Sequence, residues 1–176
     1  MLQLNTRAVL AVVATGIVLS LLSGCGISES RQAEAVAAQE VQLREFVDQA
    51  DDWGADIIAQ APVSETESIL ENFGGSRQAS ANYEEWPKYY YWAQGIDLHL
   101  DGPRTPTEFA DDLEPWLEEQ GWVRRRDDSS PGKESFWRDY TRGRYVLEVE
   151  IYTVTPPQAQ SLTFSIVTPS TDPDGR

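Results

Sequence analysis

The chain contains one cysteine, Cys25, and it stands just after an uncharged apolar run from Ala8 to Leu22. A single thiol can close no internal disulfide, so an exported domain of this sequence has no covalent staple and must be held by packing. The apolar run is 15 residues long, shorter than the roughly 20 that a membrane-spanning helix needs. Its order is that of a secretory signal, with Arg7 in front, the apolar stretch behind it and the small residues Ser23 and Gly24 at its end. The fold is therefore expected in the residues that follow. Six tryptophans, seven tyrosines and five phenylalanines are available to build its core.

Leu22, Ser23, Gly24 and Cys25 resemble the lipobox of bacterial prolipoproteins. The resemblance implies that diacylglycerol is joined to the Cys25 thiol and that a dedicated peptidase cuts between Gly24 and Cys25. A nucleophilic thiol is what a thioether requires, and small residues at 23 and 24 let the chain enter a narrow protease site in extended form. Acyl chains contribute about 0.8 kcal/mol per buried methylene, so two or three such chains (palmitate or a similar acid) hold a protein on a bilayer. The expected location is the extracytoplasmic face of the cell membrane, lipid-anchored. The expected organisation is a signal peptide at 1–24, a tether at 25–32 carrying lipidated Cys25, a single α+β domain at 33–169 and a disordered tail at 170–176.

After such a cut the chain carries 29 acidic and 13 basic residues. That balance argues against nucleic acid as a partner and against adsorption to an anionic membrane surface. Residues 25–123 hold 21 acids and 5 bases, whereas residues 124–144 hold 7 bases and 4 acids, so the two regions differ in sign.

Val36, Leu43, Val47, Ala50 and Ile57 recur at helical spacing, with Phe46 and Trp53 alongside. They predict an amphipathic helix over about 31–59, ended by Pro62. Ser64 with Glu67 three residues on has the form of a capping box, and Ile69, Leu70 and Phe73 then predict a short second helix stopped by Gly74 and Gly75. The polar stretch 76–85 reads as a surface loop. From Lys88 to Leu100 the period changes to two, with Tyr90, Trp92, Ile96, Leu98 and Leu100 on one face and Tyr89, Tyr91, Ala93, Asp97 and His99 on the other. Thr105, Pro106 and Glu108 start a helix over 106–120 that Gly121 ends as a left-handed cap. Pro115 inside it, at about 3 kcal/mol for an interior proline, predicts a kink or split near Glu114.

Four strands are expected at 122–126, 135–141, 144–154 and 161–168, with turns at Pro131-Gly132, Arg142-Gly143 and Pro156-Pro157. The fold class is thus α+β, with a long N-terminal helix and a second helix packed on one face of a mostly antiparallel sheet of four to five strands. In layout the strand at 88–100, the helix at 106–120 and the pair Gly121-Trp122 resemble small actinobacterial LppA-like lipoproteins. That resemblance carries no functional residue across.

Several constellations bear on chemistry. Asp97 and His99 share a strand face, but His99 is the only histidine, and two ligands do not make a zinc centre; no metal or other cofactor is expected. Glu148 and Glu150 also share a strand face, as paired carboxylates do in glycosidases, yet they alternate with Leu147, Val149 and Ile151 as on any half-exposed strand. Arg124, Arg125 and Arg126 read as a strand end paired with nearby acids. No Gly-x-Ser-x-Gly elbow or phosphate-binding loop is present, so no catalytic residue is assigned. Trp86, Tyr89 and Tyr91 are the candidate ligand platform: alternation puts aromatic rings of the run 89–92 on both strand faces, one set belongs to the core, and the other is either buried under a helix, which is the favoured reading, or exposed as a stacking surface. The expected function is that of a membrane-anchored envelope lipoprotein with a non-enzymatic protein-interaction or supporting domain. The alternative is a binding module for an envelope glycan or small molecule. Oligomeric state stays open.

Overall fold

A computed structural model of the chain describes residues 7–80, 84–127, 134–153 and 160–173, and of those before Glu29 the backbone alone. The elements follow as α1 (Arg7–Ile58), β1 (Thr66–Ile69), β2 (Gly75–Gln78), β3 (Lys88–Leu98), α2 (Pro106–Glu119), β4 (Val123–Asp127), β5 (Ser135–Arg142), β6 (Tyr145–Thr153) and β7 (Gln160–Val167). The fold class is α+β. The strands form one antiparallel sheet in the order β1-β3-β7-β6-β5-β4, with β2 also paired to β3.

That sheet has seven strands where four to five were expected, and the extra ones come from residues 66–78. The short helix predicted there does not form. Thr66–Ile69 pairs with the C-terminal end of β3 and Gly75–Gln78 with its N-terminal end, so β1 and β2 make one broken strand along a single edge of β3. A helix of ten residues closes few internal hydrogen bonds and is marginal alone, whereas the free edge of an 11-residue strand offers a row of unpaired backbone groups. The connection keeps contact with that edge: Leu70 N–H donates to Gly95 O at 2.9 Å and Phe73 N–H to Ala93 O at 3.1 Å. The polar stretch expected as a loop accordingly contains β2.

Both helices lie on one face of the sheet. In-register rows run across it, with Trp92, Ile166, Leu147 and Tyr140 in one and Ile96, Leu162, Ile151 and Phe136 in the next but one, all buried, and buried Phe164, Val149 and Arg138 in the row between. α1 packs over β3 and β7, and α2 over β6 and β7. Gly54 lets α1 approach closely, since a Cβ there would overlap the Trp92 indole. Farther along, Trp53 meets Trp122 edge-on at 5.4 Å and Tyr145 at 4.9 Å, and the Arg142 guanidinium stacks 4.2 Å from the Trp53 ring.

Among the described side chains of α1, the first to be buried is Gln39, so only the C-terminal half of the helix packs on the sheet. The helix nevertheless extends back to Arg7, and residues 25–32, expected as a tether, are helical. No glycine stands between Gly26 and Gly54 and no proline before Pro62, and the intervening Ala, Glu, Gln and Arg residues are good helix formers. Among the described residues no helix is long and apolar enough to cross a membrane.

Local rules set α2 closely. Thr105 caps it, with Glu108 closing the capping box, and Pro106 stands at its first turn. At the other end Gly121 has φ 87°, and Trp122 N–H donates to Leu117 O while Gly121 N–H donates to Glu118 O, which is the Schellman arrangement. The expected split at Pro115 is absent: the helix runs through it. Buried Leu113 and Leu117 flank the proline, and Glu114 accepts two hydrogen bonds from Arg124 Nη1 at 2.9 and 2.8 Å, so tertiary contacts hold the turn together. In the 124–126 run Arg124 and Arg126 meet acids as expected, Glu114 and Asp139, whereas Arg125 Nε donates to the hydroxyl oxygen of Thr141.

The chain stays with the domain past Pro169. Thr171 is buried, donates its hydroxyl to Gln39 Oε1 at 2.9 Å and its N–H to Lys88 O, and Asp172 N–H reaches Gln42 Oε1. The expected tail from residue 170 is corrected to that extent, because these bonds satisfy a polar α1 face; residues 174–176 lie outside the described ones. So do the turns expected at Pro131-Gly132 and Pro156-Pro157.

Tyr140 gives a pH signature of this core. Burial, with the Glu114 charge nearby, pushes its hydroxyl up to about 12 against the opposing pull of Arg124 and Arg138. The unfolded phenol ionises near 10, so the folded state holds this proton more tightly. Its contribution is complete below pH 10 and is lost as pH rises through 12, amounting to about 2–3 kcal/mol. We expect chemical-denaturation midpoints to fall across that window, and a Tyr140→Phe variant to lose this component of the slope. An equal slope in the variant would contradict the assignment.

Candidate functional site

The helix-free face of the sheet is set by the same registers. Asp139 on β5, Glu148 on β6, Ser165 on β7 and Ala93 on β3 form one row across it. Trp137, Glu150, Thr163 and Gly95 form the next. The middle of this face is low because Ala93 and Gly95 carry little or no side chain. Gly95 is also where the Leu70 side chain lies across β3, with its Cδ1 2.9 Å from where a Cβ would stand. Hugging β3 in this way, the 70–74 connection raises Phe73 as one wall, and Trp137 stands as the other, two strands beyond β7.

Between them is a concavity of about 220 Å³ lined by Phe73, Tyr91, Trp137, Glu148, Glu150, Thr163 and Ser165. Phe73 is 54% exposed and Trp137 39%, which is unusual for two large rings facing one hollow. The Tyr91 hydroxyl is 2.8 Å from Ser165 Oγ, fixing the ring at the margin. Ser135 Oγ lies 3.3 Å from Glu150 Oε1. Burial, and then the charge of Asp139 opposite, raise the Glu148 carboxyl above its ordinary range, with Arg126 pulling the other way.

Of the predicted platform, one residue lines this hollow. Tyr91 does. Tyr89 is on the same face but two positions on, in register with Arg77 of β2 and only half-buried. Trp86 is half-buried before the strand begins, with Lys88 Nζ 4.5 Å over its ring. Gly24 and Cys25 fall within α1, ahead of the described side chains. Asp97 faces the same side as the hollow and accepts from Ser68 Oγ at 2.6 Å, while His99 is exposed beyond the strand. Among the described residues no three His, Cys, Asp or Glu side chains are grouped so as to hold a metal.

Sequence reasoning missed Phe73, Trp137, Thr163 and Ser165 as site residues. Phe73 was assigned to a helix stripe. Trp137 had a usable signal: it follows Phe136 in a strand, so one of two adjacent rings must face away from the core. Glu148 and Glu150 rise side by side from one strand rather than from opposing walls, so they do not flank a bond as the acid pair of a glycosidase does.

Comparison with protein-family models, with curated proteins and with solved structures finds no match to this chain.

Proposed function

We propose that this chain is a membrane-anchored lipoprotein of the bacterial envelope, cleaved between Gly24 and Cys25, acylated at Cys25 and held on the extracytoplasmic face. Its domain is non-enzymatic and engages an envelope protein beside the membrane. The observation that carries the binding role is the asymmetry of the sheet: one face is covered by α1 and α2, while among the described residues no helix covers the other, which has exposed aromatic rings around a central hollow. Exposed rings grouped on a polar face are a recurrent mark of a contact surface. The lipobox supports the anchor, and α1 joins that segment to the sheet without a break.

The anchor is tested by Cys25→Ala. Intact-mass measurement of the product from a bacterial host should show residues 1–24 retained and no acyl chains, with the domain melting as before. The same acyl mass in the variant would refute the assignment.

A second reading, a module for an envelope glycan or small molecule, is favoured by Tyr91 standing at the hollow beside two hydroxyl side chains. Melting curves discriminate here. A specific ligand at 100 times its Kd adds about 2.7 kcal/mol, so a neutral oligosaccharide that raises the melting temperature would favour this reading over a protein partner.

A further inference from the structure

α1 grips the sheet along a line and then leaves it. Its contacts advance with β3: Gln39 reaches Lys88 through Thr171, the Asp51 carboxylate accepts from the Tyr90 hydroxyl at 3.2 Å, and Gly54 lies against Trp92. The helix therefore runs along β3 from the Lys88 end, and the turns before Gln39 lead away from the sheet. From Glu29 to Ala38 no side chain is buried. A helix of that length is marginal alone, but these turns continue a docked one, so each residue gains a hydrogen bond without a new nucleus. Apart from Ser30 and Val36, residues 29–38 are Ala, Glu, Gln and Arg, which are among the better helix formers.

The point of exit is held by the chain after β7. Thr168 donates its N–H to Tyr90 O and accepts from Tyr90 N–H at Oγ1, and Thr171 does the same with Lys88 at 2.8 and 3.1 Å. Thr171 Oγ1 makes a third bond, donating to Gln39 Oε1 at 2.9 Å, and Asp172 N–H reaches Gln42 Oε1 one turn along the helix. Thr171 and Gln39 are both buried, so removing either leaves a polar atom of the other without a partner away from water. The first ring contact of α1 with a strand is Phe46 against Tyr145 at 6.0 Å, about two turns farther on. The bonds of residues 168–172 thus fix the helix at the turn where it leaves the domain.

Resting on the proposed anchor at Cys25, we infer that residues 168–172 are a clasp that makes the first part of α1 a rigid stalk, holding the domain at a set height above the bilayer. Cys25 and Gln39 are 14 residues apart, which a helix spans in about 21 Å. A slack tether of that length would let the domain tumble onto the bilayer. The stalk instead keeps the Lys88 end of the sheet toward the anchor and the Leu98 end away, so that the open face meets its partner at a constant height.

The test uses the full acylated chain in lipid nanodiscs, with spin labels on cysteines introduced by Arg31→Cys on the stalk and Glu119→Cys on α2, both at exposed positions. The Cys25 thiol is taken up by its acyl chain. Pulsed electron resonance reads the distribution of distances between the labels, and this labelled chain should give one narrow peak. Ala33→Gly with Glu34→Pro breaks the helix outside the domain and should at least double the width at an unchanged melting temperature. Thr171→Val removes the clasp hydroxyl at nearly constant size and should also at least double the width, whereas Thr171→Ser should keep it narrow. If Thr171→Val fails to fold, Asp172→Pro, which removes the N–H that reaches Gln42, takes its place. A distribution already as broad as that of the broken helix overturns the inference and leaves the anchor standing. An unchanged width in the folded clasp variant overturns the role of residues 168–172. An intact mass without acyl chains overturns the anchor reading, and the stand-off with it.

Discussion

Gly54→Ala is expected to destabilise the domain by about 1–3 kcal/mol, the usual range for forcing a methyl group into a packed core, although alanine is the better helix former by about 1 kcal/mol. The added Cβ overlaps atoms in the body of the Trp92 indole, and that ring is buried with no room to turn aside. Either α1 lifts from the sheet or Trp92 leaves its rotamer, and both disturb contacts with Ile166 and Leu147 in the same layer. In a chain of this size each kcal/mol lowers the melting temperature by about 2–4 °C. Trp92→Leu alone should also be costly, since it leaves a cavity. The two together should be less harmful than the sum, because the smaller side chain makes room for the methyl group. A stabilising Gly54→Ala would mean that α1 does not dock on β3 as described.

The second large effect centres on Glu114, which stands between two arginines. Arg124 Nη1 reaches both of its oxygens, and Arg138 Nη1 lies 4.0 Å from Oε2 while its Nη2 is 2.6 Å from Asp111 Oδ1. The Arg138 side chain is only 5% exposed. Removing the carboxylate takes an acidic partner from both guanidinium groups, of which that of Arg138 is almost fully buried, so Glu114→Ala is expected to cost about 2–4 kcal/mol. Arg138→Met should cost less than about 1 kcal/mol. It replaces a buried charge by an apolar side chain of similar length, and leaves Glu114 with Arg124 and Asp111 in solvent. Denaturant midpoints of the two variants decide the point. Equal losses would show that the packing of Arg138, and not its charge, is what the fold requires.

These two sites mark different degrees of legibility. The start and stop of α2 could be read from Thr105, Glu108 and Gly121 because capping is a matter of bonds within four or five residues. The later strands fell within two residues of expectation because side-chain alternation is equally local. Ser64 and Glu67 sent the same kind of local signal and were misleading. The edge of β3 competed for that backbone, and nothing within residues 64–75 announces a strand that begins at Lys88. Pro115 misled for a related reason, since the contacts of Leu113, Leu117 and Glu114 that hold its helix together lie on other elements.

The candidate site was legible only in part. Tyr91 could be placed on the outer face by counting, and Glu148 with Glu150 on one face of their strand. That Phe73, Trp137, Thr163 and Ser165 join them depends on the registers of β3 with β7, β7 with β6 and β6 with β5. Sequence alone determined that no internal disulfide can form, the acidic balance and the α+β class, because each follows from residue identity or a short period; the proposed anchor rests on the residues Leu22 to Cys25 in the same way. Tertiary structure alone decided which face of the sheet stays open and which rings stand around its hollow. Strand order brings together side chains from positions 73 to 165, and it is chosen by how the two helices bury Trp92, Leu147 and Ile166 on the other side.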